Sequence, residues 1–349
     1  MFRRIATLVL LFIASLSVVN AQEHKREPSG LFPIEQDDKW GYMDRSGKIV
    51  IQPQFYWADY FSEGLAVVEV IKGQYGDIVD IEYGYIDKTG QWVIEPQFDY
   101  ASEFSEGLAV VSVGSENGYI DKTGNMVIQP RFLMAANFSD GLARVVVDRN
   151  QPDWCFIDKT GKIVIKTKFI RVEAFSEELA VIMTDSYQKS SNWGYIDKTG
   201  KFAIKPTFDS AGNFSDGIAA VWIGKKMGYI DKSGKIIIPV QFDGGYGFSE
   251  GLAPVKIGEK WGYIDKTGKV VISPQFMEAR AFSEGLAPIT FDGSEMGFID
   301  KTGRIVIKPQ FRGRVGFFDG LSRIEMLGGI VDGYVNPQGK YVWRRKKVD

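Results

Sequence analysis

The sequence predicts an all-β protein, a tandem array of about nine three-stranded antiparallel meanders stacked as an open, superhelical, solenoid-like array. One observation is repetition. WGYIDKTGKVVISPQF at Trp261 to Phe276 is nearly rewritten as WGYIDKTGKFAIKPTF at Trp193 to Phe208 and as MGFIDKTGRIVIKPQF at Met296 to Phe311. Self-similarity of this kind is the mark of a repeat architecture. A second observation is composition within the phrase: short runs of aromatic and β-branched residues punctuated by Gly and Pro, which is strand-and-turn chemistry. The third is spacing, rigid in one part of each copy and elastic in another.

The Gly after Trp serves as a ruler. It falls at Gly41, Gly84, Gly118, Cys155 (in the Gly place), Gly194, Gly228, Gly262, Gly297 and Gly333, with steps of 34 to 39 residues after a first step of 43. In the first eight copies the Leu of the later FSEGLA phrase stands 24 residues on, with Ile218 once in its place. Two Phe residues six apart also recur in all eight, from Phe55/Phe61 to Phe311/Phe317. All length variation lies between that Leu and the next Trp-Gly. Fixed spacing implies a packed module and variable spacing a surface loop.

Each element then has a reason. WGYID is a strand, and its Gly admits a close neighbour; Cys155 in that place implies that small size is required rather than a left-handed backbone. D-K-T-G is a turn in which Asp accepts from the backbone ahead and Gly takes positive φ. KIVI is the returning strand, and the Pro after it ends the ladder. The segment PQFxxAxxFSEG reads as a connector, with Ser-Glu-Gly a second turn into the strand LAVV. The unit is therefore LAVV, WGYID, KIVI. Nine whole units run from Gly30 to Trp343, because Gly30-Leu31-Phe32-Pro33-Ile34 aligns with Gly251-Leu252-Ala253-Pro254-Val255 and Asn336-Pro337-Gln338-Gly339 closes a last hairpin. The paired Phe residues should plug the seam between units, since a lone three-stranded sheet cannot cover its own faces. A closed β-propeller is the alternative. The open array is favoured because both ends fall on whole units, whereas closure usually mixes strands from both termini, and propellers typically have four to eight four-stranded blades.

Two series of acids invite a functional reading. One is Asp44, Asp87, Asp121, Asp158, Asp197, Asp231, Asp265 and Asp300; the other is Glu63, Glu106, Asp140, Glu177, Asp216, Glu250, Glu284 and Asp319. A calcium loop gathers several oxygen ligands locally, whereas each turn here has one carboxylate beside a Lys or Arg. An active site is also usually singular, so turn formation is the expected role, with the following Lys simply exposed. No metal site, cofactor site or catalytic residue is assigned. Cys155 lacks a His partner and sits in a packing slot, and Gly244-Gly245-Tyr246-Gly247 opens no helix to cradle a phosphate. Trp57, Tyr60, Tyr75, Trp92, Tyr187, Trp222 and Tyr246 stand off the repeat template and are the candidate partner-binding residues.

The phrases WGYIDKTGK, IxPQF and FSEGLAxV resemble the bacterial WG-containing (KWG) repeat family across nearly all of residues 30–343. Departures are Cys155 for Gly, Thr167 for Pro, Glu178 for the turn Gly, and a proline displaced to Pro239. The resemblance implies an exported or envelope-associated repeat protein that presents a surface, with no particular enzyme, cofactor or ligand.

Residues 1–21 read as a secretory signal: Arg3 and Arg4, an apolar run from Ile5 to Val18, then Val19-Asn20-Ala21 before Gln22. Residues 22–29 form a polar lead-in and residues 344–349 a basic tail. Cleavage leaves 40 basic against 44 acidic residues, a net charge near −4, which argues against nucleic acid as a partner. It also leaves no stable membrane span. The one cysteine permits no internal disulfide, and the one histidine, His24, removes most familiar hydrolase arrangements. The sequence thus predicts a non-catalytic binding scaffold in the periplasm or outside the cell, holding a protein or glycan through its loops, chiefly 71–82 and 184–192. A structural spacer of the envelope and a carboxylate-based hydrolase are the alternatives.

Overall fold

A computed structural model of the chain describes residues 28–75, 78–149, 153–184, 193–326 and 330–345. The signal segment, His24, most of the polar lead-in, Tyr187, loop residues 185–192 and the last four residues of the tail lie outside the described residues. Among those described there is no helix, and so none long and apolar enough to cross a membrane.

The turn chemistry is as the residues predict. In the first unit Asp44 Oδ1 accepts from Ser46 N, Ser46 Oγ and Lys48 N at 2.8, 2.6 and 3.1 Å, and Gly47 sits at φ 86°. The same arrangement returns at every D-K-T-G, and Asn336 substitutes for Asp in the last unit. The Gly of the Trp-Gly pair is also explained as expected. Gly41 is not left-handed; a Cβ on it would lie 2.5 Å from the Ile51 carbonyl oxygen, because the Gln52-Pro53-Gln54 stretch of the facing strand bulges over it. Where Cys155 replaces Gly, Thr167 replaces the Pro and the ladder runs straight, pairing Cys155 with Lys166 and Phe156 with Ile165. Thr167 N and Oγ1 both donate to the Trp154 carbonyl, bonds that Pro cannot make. The two departures compensate each other.

The units are not three-stranded. Eight of the nine sheets have four strands, the extra one being two residues of the supposed connector in most units. In the second sheet Trp57–Ala58 pairs with Ala66–Tyr75, which pairs with Ile78–Ile86 and then Trp92–Phe98. Ala58 faces Val68 and is buried. A two-residue strand is too short to display an alternating pattern, so the sequence reads as irregular there. Among the described residues the first sheet has three strands, Leu31–Gln36, Lys39–Asp44 and Ile49–Phe55.

Nor is the array open. The nine sheets form a ring, a nine-bladed propeller, numbered here as blades 1 to 9: residues 31–55, 57–98, 100–132, 134–166, 171–208, 210–242, 244–276, 278–311 and 314–344. Each blade leans on the next through one set of contacts. The Tyr of the Trp-Gly-Tyr phrase packs on the second Phe of the following blade, as in Tyr42–Phe61 and Tyr263–Phe282, and its hydroxyl donates to a carbonyl there, Tyr263 to Arg280 at 2.8 Å. Blade 9 meets blade 1 by a variant of this rule, using the first strand of blade 1 in place of the second Phe. Tyr334 packs edge-on to Phe32 at 5.5 Å and donates to the Pro33 carbonyl at 2.7 Å. A buried cluster of Phe32, Ile34, Met43, Tyr60, Leu321, Val331 and Tyr334 fills the joint, and Arg345 bonds Glu35 across it at 2.9 Å. Closure needs no strand shared between the termini, because side chains perform it. The nine buried clusters, one per seam, are the core.

Candidate functional site

The second acid series turns out to tie the ring together. Glu63 and Gly64 have φ 51° and 94°, the two left-handed positions of a type I′ hairpin closed by bonds of 2.8 and 3.1 Å between Ser62 and Leu65. Glutamate is uncommon in that backbone region. Here its carboxylate accepts from Gly107 N in the next blade and pairs with Lys122 at 3.0 Å. Glu106 repeats this with Gly141 N and Lys159, and Glu250 with Gly285 N and Lys301. The Lys after each turn Asp is therefore, in several blades, half of an inter-blade ion pair rather than an idle exposed residue. Asp140 reaches Glu178 N, so Glu178 keeps the turn despite φ 75°. Asp319 completes the circle: it accepts from Gly30 N at 2.6 Å and pairs with Arg45.

Both series are engaged in structural bonds. The turn Asp carboxylates are held below their usual range, first by the Thr or Ser hydroxyl and then by backbone N–H donors, which is the chemistry of a capped turn. Among the described residues no group of three or more His, Cys, Asp and Glu is placed to hold a metal ion. Cys155 is buried, and burial pushes its thiol up, away from nucleophilic reactivity.

The off-template aromatics do not converge. Trp92 packs edge-on to Phe55 between blades 1 and 2. Tyr60 is buried at the closing seam, with its hydroxyl 3.2 Å from that of Tyr334. Trp222 lies half-buried against the seam of blades 6 and 7, and Tyr246 stacks on Trp261 at 5.3 Å. Tyr75 pairs with Ile78 near the tip of a long hairpin in blade 2. The loop expected at 71–82 is thus an arm of paired strands, ten and nine residues long, with residues 76–77 outside the described set.

Trp57 is the exception. It lines a cleft of about 240 Å³ at the seam of blades 2 and 3, with Tyr83 and Tyr100, whose rings lie 5.6 Å apart, and with Asp59, Glu69 and Glu103. Burial raises the Glu69 carboxyl above its ordinary value, opposed by a hydrogen bond from Tyr83. Tyr83 and Glu69 were not singled out from sequence, because both stand at template positions. The readable hint was that Tyr replaces Trp at residue 83 while Glu occupies the end of the LAVV strand.

The WG containing repeat model matches residues 40–75, 83–115, 118–150, 154–187, 193–226, 227–261, 261–293 and 296–328, and the chain belongs to that family. No curated protein sequence matches it. Among solved structures it is similar to a eukaryotic initiation factor, at 14% identity and TM-score 0.55, covering 82% of this chain and 86% of that one. Fainter likenesses are BamB from Moraxella catarrhalis, at 10% identity, TM-score 0.42 and coverage of 88% and 96%, and apo AztD from Citrobacter koseri, at 11%, 0.39 and coverage of 89% and 95%. The first likeness concerns the fold alone.

Proposed function

We propose that this WG-repeat ring is a non-catalytic, exported binding scaffold that holds a protein or glycan partner on the irregular features of its blades. The observation that carries the reading is where the irregularity lies. The repeated acids and tyrosines are engaged in turns and seams, while among the described residues blade 2 combines a long hairpin arm with the aromatic and acidic cleft beside it. A closed ring also gives no length that grows with repeat number, which disfavours the envelope spacer. Export rests on the signal-like residues 1–21.

The test is affinity capture from native envelope extract, with the intact chain beside a variant in which residues 71–82 and 184–192 are cut to short hairpin loops. Loss of the captured partner in the shortened variant supports the scaffold. Undiminished capture overturns it.

A further inference from the structure

We infer that the cleft between blades 2 and 3 receives a guanidinium group, delivered by an arginine of a protein partner. The chain itself shows which chemistry this place takes. Two residues past the Leu of the LAVV strand, blade 4 carries Arg144 and blade 9 carries Arg323, where blade 2 has Val67. Arg144 points into the seam of blades 4 and 5. Its guanidinium lies 5.2 Å from the Trp154 ring centre, bonds the Val172 carbonyl, and meets Glu173 at 3.2 Å. Arg323 is likewise mostly buried at the seam of blades 9 and 1, 3.7 Å from Glu325 and hydrogen-bonded to Tyr60.

The seam of blades 2 and 3 keeps one neighbour of each of these guanidiniums without the guanidinium. Tyr83 stands where Trp154 does, and Glu69 where Glu325 does. Val67 stops short, so the cleft opens where an arginine would lie; Tyr100 and Trp57 add ring surface and Asp59 and Glu103 add negative charge. No Lys or Arg is among the lining residues. At about 240 Å³ the space is smaller than the roughly 300–1,000 Å³ of sites for drug-sized ligands. It suits one side chain. A guanidinium fits both walls, since it stacks on aromatic faces and offers planar, forked donors to carboxylates. A neutral sugar would leave the half-buried Glu69 charge uncompensated.

The inference rests on the scaffold reading, and the experiment separates them. The full chain, labelled with 5-fluorotryptophan, is titrated with the peptide acetyl-Gly-Arg-Gly-amide and with its citrulline counterpart, which keeps the shape and loses the charge. Saturable movement of the Trp57 fluorine signal is expected with arginine, and binding at least about tenfold weaker with citrulline. Val67→Arg places the chain's own guanidinium as Arg144 does and should weaken the peptide by about tenfold or more, whereas Ile236→Ala, at an exposed position of blade 6, should leave it unchanged. If Val67→Arg fails to fold, the double change Glu69→Gln with Tyr100→Ala, at sites that are not fully buried, should produce the same loss. Equal binding of citrulline, undiminished binding by the blocked or double variant, or no saturable response overturns the inference. Arginine binding without envelope capture overturns only the scaffold; capture without arginine binding overturns only the cleft.

Discussion

The seam between blades 9 and 1 and the seam between blades 7 and 8 use the same contacts on opposite terms of chain connectivity. At the inner seam Tyr263 reaches a carbonyl 17 residues away and Glu250 an amide 35 residues away. At the closing seam Asp319 makes the corresponding bond to Gly30 and Tyr334 turns instead to Pro33 in the first strand, spans of 289 and 301 residues. Closing the longer loop costs more entropy, though the cost grows only slowly with length. The closing seam keeps the ordinary ion pair as Arg45–Asp319 and adds Arg345–Glu35 and a buried Tyr60–Tyr334 pair. Among the described residues blade 1 has no fourth strand, and Ser29 stands where the other blades carry the hairpin acid; these contacts serve there instead. Ring closure is thus the ordinary seam, reinforced where the chain cannot help.

Four kinds of change would break or sharpen that comparison. The largest effect is expected from removing the tyrosine. Tyr334→Ala and Tyr119→Ala should each cost about 3–5 kcal/mol in urea unfolding. Only Tyr334→Ala should open the ring, seen as a larger radius of gyration by small-angle scattering before the blades melt. Equal compactness of the two variants would mean that the closing seam is not the ring's weak point.

Next comes backbone crowding. Gly262→Ala puts a Cβ 2.5 Å from the Ile272 carbonyl oxygen and should cost about 1–3 kcal/mol. Cys155→Gly should shift the midpoint by less than about 1 kcal/mol, because no bulge crosses it. A third change, Glu250→Ala, removes one partly exposed inter-blade tie and should cost about 1 kcal/mol, read by thermal melting.

The smallest effect belongs to Asp265→Asn. At neutral pH the midpoint should barely move, since Asn336 caps the equivalent turn of blade 9. The difference appears in acid. The folded-state pKa of Asp265 is depressed below 3.8, chiefly by the Thr267 hydroxyl. Its contribution is therefore full above the unfolded value and is lost as pH falls through the lower folded value. Urea midpoints followed below about pH 4 should fall less steeply for the Asn variant than for the parent. Parallel slopes would show that the turn carboxylate is not coupled to folding.

Much of the blade was legible in the residues because local chemistry dictates it. D-K-T-G specifies its own turn, and the Cys155 substitution distinguished a need for smallness from a need for positive φ. The two Phe residues six apart marked the seam because only burial explains such spacing. What escaped involved partners distant in sequence or too small to pattern. Trp57–Ala58 is a strand of two residues. The carboxylate of Glu63 reads as a turn acid until Gly107 and Lys122 are brought beside it. Closure was hinted at by Gly30 and Arg45, which keep the places of a latch whose acid, Asp319, lies at the far end of the chain. The seam cleft exists because Val67 is short, and an unfilled volume leaves no mark in a sequence.

The capping of Gly30 by Asp319 has a wider consequence. Blades 2 to 9 each hand a carboxylate to the next blade, and the ninth hands its own to the first as the others do, so the latch does not set the closing joint apart. A gene rearranged so that residue 345 leads back into residue 28, with new ends opened in the Gly258–Lys260 hairpin, would encode the same rotor read from another spoke. Heredity can permute the order of reading here; the angle turned at each joint, one ninth of a revolution, is what sets the count.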